Sequence, residues 1–473
     1  MDIQRESRLL QGPIRSAVFW LALPVLGEQA LNACVTWNDT FIAGRISAEA
    51  TSAVGLASYV SWFMSMLAWL VDTGATAIVA RAVGGGRLDE ARRTTNQAFV
   101  LALILGASGT TLIMLTAPSI AALLNLPPDC AGIAATFMRI DVIGYVGGAV
   151  SFSLASCLRG AGDTRTPLLI LGGVNVVNIV FTWLLAFGLG PIPALGTNGI
   201  AWGTVIARLS GGIWILYLLQ GRARRPSASS AHPAPANHPK SYLRLSRSLL
   251  RPDRELLVRI LSIGVPAAAD GALAFTGHFI FTTIVTRVPT AFSTTVIYAA
   301  HVIGIRIESL SYLPANAWSV AAAAIVGQNF GARQPERARQ AANEAVRQAV
   351  MMLACMGVLY FFAARPLYQL LSNDPQVWDC GVPALKGLAC FQIPLAVLIV
   401  YLGALRGAGD TRVPMLITAA GMGLLRIPFA AFGGFVLRGG LLGAWMGMFA
   451  DLTVRAILVT WRFRQGGWKK VRV

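Results

Sequence analysis

The sequence predicts an all-α integral membrane protein with twelve transmembrane helices. They form two six-helix lobes related by a pseudo-two-fold axis along the membrane normal. Three observations lead there. Of the 473 residues, 55% are hydrophobic and only 13% are charged, whereas a soluble domain carries about 25% charged residues. Mean hydropathy is +0.62, and apolar runs long enough to cross a bilayer recur along the chain. Finally, LRGAGDTRTPL at Leu158–Leu168 returns as LRGAGDTRVPM at Leu405–Met415, with its first eight letters unchanged. An internal repeat of this kind marks a duplicated structural unit.

The spans follow in order. In the first half they are Pro13–Gly44, Thr51–Ala82, Thr95–Leu124, Ala131–Leu158, Thr166–Gly188 and Gly196–Gln220. In the second they are Leu256–Arg287, Phe292–Gly327, Ala342–Ala364, Val377–Leu405, Val413–Leu437 and Leu441–Phe463. Each is long enough for a hydrocarbon core about 30 Å thick. These bounds divide the chain into a tail (1–12), a first lobe (13–220), a linker (221–255), a second lobe (256–463) and a basic tail (464–473). Arg222–Glu255 is rich in Pro, Ser, Ala and Arg, so its first half reads as a disordered connector. Leu243–Leu250, with Arg244, Arg247 and Arg251, reads as a short basic helix on the lipid surface. His232 and His238 lie in this connector without cysteine or carboxylate partners, a poor metal site.

The formal charge of +18 is not spread evenly. Basic residues crowd the tails, the linker and the loops holding Arg87–Arg93, Arg159–Arg165, Arg333–Arg339 and Arg406–Arg412. Those segments all fall on one side of the twelve-span count, and the opposite loops hold few. The positive-inside rule makes the basic side cytoplasmic, with both termini inside. No interleaved aromatics or nucleic-acid motif accompany the basic segments, so no nucleic acid is expected. No cleavable leader is evident, which suits a multi-pass protein of a bacterial inner membrane. The six cysteines are scattered without a CxxC pair and read as small buried hydrophobes.

Both octapeptides are offset by 247 residues, and the same offset carries AVGGGRLDEARRTTNQA (Ala82–Ala98) onto NFGARQPERARQAANEA (Asn329–Ala345). Two loops sharing one offset make each half a six-span copy. Six is even, so both halves enter the membrane in the same orientation, the parallel-repeat case. Within each octapeptide the glycines permit a tight turn, Asp163 or Asp410 can cap the next helix, and the arginines are expected to anchor to headgroups.

Here the sequence resembles a multidrug and toxic compound extrusion (MATE) transporter. The resemblance rests on Ala299–Arg339, the doubled LRGAGDTR, WNDTFIAG (Trp37–Gly44) and LLRIP (Leu424–Pro428), and runs from about Pro13 to Phe463. It implies export of organic cations and drugs in exchange for protons or sodium, by alternating access, from a chain acting as a monomer in the lipid bilayer. The rival reading is a flippase for lipid-linked oligosaccharides or other lipids of the same broad superfamily.

A carboxylate inside a span is costly and marks an ion or substrate path. Asp39 in WNDTFIAG is the first candidate, and it matches the family's first-helix aspartate. The resemblance adds Asn178 and Thr204 as its neighbours, and Thr182 where an aspartate is often seen. Asp39, Asn178 and Thr204 are thus the expected proton or sodium site, short of one negative charge. In the second half, Asp270 either replaces the family's seventh-helix glutamate or pairs with an arginine. Glu308 lines the cavity or pairs with a neighbouring helix. Arg426 lines the cavity or neutralises a carboxylate, and His301 is packed or relays protons. Tyr145 either stacks a flat cation or packs against its neighbours. Asp451 and Arg455, four apart, suit an intrahelical salt bridge. The chain has no GxxxxGK[ST], HExxH, GxGxxG or GxSxG motif. It is expected to be no enzyme, and to use no cofactor beyond its coupling ion and no metal beyond that sodium.

Overall fold

A computed structural model describes residues 10–123, 128–188, 190–220 and 242–471. Regular secondary structure among the described residues is helical, without a β-strand. The first half holds α1 (Ile14–Ile46), α2 (Ala48–Gly84), α3 (Leu88–Leu123), α4 (Pro128–Asp141), α5 (Tyr145–Gly160), α6 (Arg165–Phe187) and α7 (Thr197–Leu219). A 3-10 turn, Val142–Gly144, joins α4 to α5 within one span. The second half holds α8 (Arg254–Val285), α9 (Thr294–Gly331), α10 (Pro335–Phe362), the short α11 (Ala364–Leu371), α12 (Pro375–Cys390), α13 (Gln392–Gly407), α14 (Arg412–Ala420), α15 (Ile427–Ala431) and α16 (Gly440–Gln465). Among the described residues, eleven helices are long and apolar enough to cross a membrane, and α12 with α13 forms a twelfth span bent by 55°.

The helices outrun the apolar segments that reveal them. α3 begins at Leu88 with Asp89 and Glu90 in its first turn, and α10 begins at Pro335 with Glu336. Acidic residues and an N1 proline favour a helix start, so both helices form ahead of their apolar stretch. The eleventh span departs from α geometry. Two π-helical stretches, Gly421–Arg426 and Phe432–Val436, flank α15.

By contacts the chain gathers into two compact units. The first holds Met1–Gln11 with Leu23–Gly264, and the second Gly12–Ala22 with Val265–Val473. The core of the first unit includes a cluster built on Ile42, Met64, Phe137, Met138 and Tyr145, with alanines between. That of the second buries Trp445, Trp468, Tyr360, Tyr368 and Phe463. The outward faces carry large apolar residues such as Trp20, Phe279 and Phe362, as a lipid-facing surface requires.

The linker's end corrects an expectation. Arg222–Ser241, with His232 and His238, lies outside the described residues, but 242–253 forms no basic helix on a lipid surface beyond a 3-10 turn at Arg247–Leu249. It is clamped to α3 by two amides. Asn96 Nδ2 donates to Arg244 O (3.0 Å) and its Oδ1 accepts from Ser246 N (2.9 Å). Gln97 Nε2 donates to Leu249 O and Arg251 O (2.9 Å each), while its Oε1 accepts from Asp253 N (2.9 Å). Each amide satisfies backbone groups no helix ladder reaches. The expectation for the cysteines also needs revision: Cys34, Cys355 and Cys390 are exposed, and only Cys157 and Cys380 are buried.

Candidate transport sites

The doubled octapeptide builds the same turn twice. Gly162 and Gly409 take left-handed φ values of 89° and 82°. Asp163 N donates to Leu158 O, and Asp410 N to Leu405 O, closing both helix ends alike. The first arginine of each copy does not reach for headgroups as expected, while Arg165 and Arg412 are exposed. Arg159 pairs with Glu28 of α1 at 3.2 Å, and Arg406 pairs with Asp270 of α8. Glu28 and Asp270 each follow a helix-interior proline by four residues, Pro24 and Pro266, at a shared offset of 242. Both carboxylates are buried, and a buried charge persists only when paired. The open question for Asp270 therefore closes on the paired reading. The aspartates diverge. Asp163 caps α6 through Thr166 N (3.0 Å) and Thr166 Oγ1 (2.6 Å), while Asp410 pairs with Arg462 of α16 (2.8 Å). Val413 stands where Thr166 would and offers no hydroxyl.

In the first unit Asp39 lies half-buried near the end of α1. Among the described residues its one side-chain hydrogen bond comes from Asn38 Nδ2 at 3.3 Å, and Asn38 Oδ1 accepts from Trp183 Nε1 of α6 at 2.8 Å. Asn178 Nδ2 donates to Thr204 Oγ1 at 3.1 Å, joining α6 to α7. Asn178 Oδ1 and Thr182 Oγ1 are buried with no hydrogen-bond partner. Gly203 makes room for this: a Cβ there would stand 2.6 Å from Thr182 Oγ1. Among the described residues no hydrogen bond joins Asp39 to Asn178, Thr182 or Thr204. The expected set is therefore two pieces, an α1 carboxylate on an Asn38–Trp183 bridge and an α6–α7 pair with two uncommitted oxygens. Trp183 and Asn38 were not singled out from the sequence, where WND reads as one short motif and gives no hint of a partner 145 positions on.

Further into the same unit, Asp141 takes Arg208 of α7 (3.1 Å) and Ser61 of α2 (2.9 Å). Asp72 accepts from Ser153 at 2.9 Å. Tyr145 is buried and its hydroxyl donates to Met64 O, so it packs rather than presenting a face for stacking.

In the second unit the charged residues meet at α16. Arg426, at the end of the first π-helical stretch, pairs with Asp451 at 2.7 Å; Arg455 approaches the same oxygen at 3.6 Å and donates to Thr418 Oγ1 at 2.7 Å. Arg426 thus neutralises a carboxylate, and the intrahelical Asp451–Arg455 pair is the longer of the two. Gly421 makes the packing possible, because a Cβ there would strike Asp451 and Arg455. His301 accepts from Trp445 Nε1 through Nδ1 (3.2 Å), and Thr282 lies 3.3 Å from Nε2. It is packed. Glu308 is buried with Oε1 unpartnered, and among the described residues it has no ion pair. No group of three or more His, Cys, Asp or Glu among the described residues could hold a metal ion.

The model of the MatE family matches residues 24–184 and 266–432, one copy in each half. The chain belongs to the MATE family of transporters. The two matched stretches each hold one copy of the octapeptide and the first-helix proline-plus-acid pattern. The chain is 30% identical over 457 residues to the probable multidrug resistance protein NorM of Thermotoga maritima, covering 97% of this chain and 94% of that one. It is 26% identical to the FAD transporter of Shewanella oneidensis, covering 90% of each. Its fold matches a MOP superfamily transporter from Pyrococcus furiosus at a TM-score of 0.87 and 20% identity, over 98% of both chains. A crystal structure of MATE in the bent conformation matches with TM-score 0.87 at 21% identity, again over 98% of each. The protein is thus a multi-pass MATE transporter with the twelve-span fold.

Proposed function

We propose that this transporter is a secondary active exporter of organic cations and drugs, driven by inward proton flow through Asp39 and working by alternating access. We read both termini as cytoplasmic, at a bacterial inner membrane, from the bias of basic residues toward one side of the spans. The observation that carries the reading is the state of Asp39: an acidic group within a span, without an arginine or lysine partner among the described residues. Among the described residues Glu28 is held by Arg159 and Asp141 by Arg208, while Asp72 also lacks a basic partner and accepts from Ser153. A carboxylate without a fixed counter-ion can exchange a proton or salt-bridge a cation, and competition between the two is the coupling. Asn178 Oδ1 and Thr182 Oγ1 offer oxygens of the kind sodium takes, but Thr182 in place of an aspartate leaves one charge where a sodium site would gather two. Proton coupling follows. Relatives called multidrug resistance proteins support the drug cargo.

The test is efflux of ethidium from energised cells making wild type or Asp39→Asn at matched membrane levels. Efflux that needs Asp39 and collapses with a protonophore supports the proposal. Efflux that resists the protonophore but needs sodium replaces the ion. A well-inserted wild type that moves no cationic dye refutes the cargo and points to lipid-linked substrates.

A further inference from the structure

The bend between α12 and α13 leaves a groove on the second unit's outer surface. Phe391, at the bend, stacks on Phe449 of α16 at 4.3 Å and an interplanar angle of 4°, pinning the two helices at that level. Beyond it, Ile393, Pro394 and Val397 of α13 face Thr453, Ala456, Ile457 and Thr460 of α16. Four of those seven side chains are small or short, and the space between the helices has a volume of about 620 Å³. That lies within the ~300–1,000 Å³ of small-molecule sites.

The groove is apolar along its length and polar at one end, where Trp461, Arg464 and Gln465 close it. Trp461 is 60% exposed, as aromatic residues at a membrane interface are. Arg464 is exposed and has no carboxylate partner among the described residues, unlike Arg462 two residues earlier, which is held by Asp410, and Lys469, which is held by Glu336. The C-terminal segment is fixed beside them: Trp468 is buried, stacks on Phe463 at 5.1 Å and donates to Phe463 O. Arg464 is therefore an unpaired cation at interface depth, one end of a slot shaped for hydrocarbon.

We infer that this groove is a binding site for one anionic phospholipid of the leaflet facing the C-terminal tail. Its phosphate sits at Arg464, its glycerol region at Gln465 and Trp461, and an acyl chain lies against Ile393, Val397 and Ile457. The inference is independent of the transported substrate and of the coupling ion. A cationic drug would meet Arg464 as a like charge, and a zwitterionic lipid would bring its own cation to the same place.

The full chain, purified in mild detergent, is titrated with phosphatidylglycerol or phosphatidylcholine and read by native mass spectrometry and thermal unfolding. Wild type should retain one phosphatidylglycerol about fivefold more strongly than phosphatidylcholine, the worth of one basic residue at an anionic surface. Arg464→Gln, which breaks no ion pair, should abolish that preference, and Val397→Phe should expel the lipid while leaving the lipid-free melting temperature near wild type. Equal retention of the two lipids by wild type overturns the inference. So does phosphatidylglycerol retention that survives both substitutions, or a protein dimer that buries the groove without lipid.

Discussion

At the scale of single residues, the buried carboxylates divide by whether a cation answers them. Glu28 and Arg159 are both largely buried, and removing one partner of such a pair costs about 3–5 kcal/mol because the other charge is left stranded. Glu28→Gln should therefore lower the melting temperature strongly in detergent. The double variant Glu28→Gln/Arg159→Gln should recover most of the loss, and a double-mutant cycle with no coupling energy would sink that account. Asp39→Asn is the opposite case. Its carboxylate holds no cation, so stability should stay within about 0.5 kcal/mol of wild type while coupled efflux disappears. A melting curve beside the dye assay separates the two effects. Asp39 stood out in the sequence because a charge within an apolar run is visible by itself. Glu28 is equally visible in its apolar run, but its partner is not: Arg159 lies 131 positions away at the end of α5, among arginines that look like headgroup anchors.

Elements tell which parts of the repeat are structural. The loop after α2 and its counterpart after α9 close with the same hydrogen bonds, Arg87 N to Ala82 O and Gln334 N to Asn329 O. The left-handed residue is Gly86 (φ 70°) in one and Arg333 (φ 58°) in the other. A side chain in that region costs about 1–2 kcal/mol. Arg333→Gly should thus stabilise the second unit by up to about 1 kcal/mol once the glycine's extra unfolded-state freedom is deducted, measured as a higher melting temperature. At Gly421 the sign reverses. Its Cβ would meet Asp451 and Arg455, so Gly421→Ala should destabilise by about 1–3 kcal/mol, whereas Gly55→Ala, with open space around it, should not. Helix positions were readable from apolar length. The π-helical stretches and the 55° bend were marked only by Pro428 and Pro394, which interrupt a helix ladder without fixing the geometry that results.

For the whole molecule, twelve spans and the halving of the chain followed from hydropathy and one repeated octapeptide, since the bilayer prescribes both length and backbone satisfaction. The charge bias makes orientation testable. Single cysteines placed at Gly86 and Ala332, in a background without native cysteines, should react with a membrane-impermeant thiol reagent only when the cytoplasmic face is opened. A cysteine at Thr290 should react in intact cells, and reversed labelling would invert the topology. Linker and tail resisted reading because their role lies in amides and one tryptophan, Asn96, Gln97 and Trp468, whose partners the sequence does not reveal.

The clamp by Asn96 and Gln97 bears on how the protein is made. The first unit extends to Gly264 and the second reclaims Gly12–Ala22; Arg337 and Gln348 of α10 donate to Gly12 O and Arg15 O. A ribosome that has delivered the first six spans has not yet supplied the strap that α3 holds. The opening turns of α1, emerging first, must wait for α10 before their own partners exist. Gene duplication copied the halves, but biogenesis cannot finish either one alone.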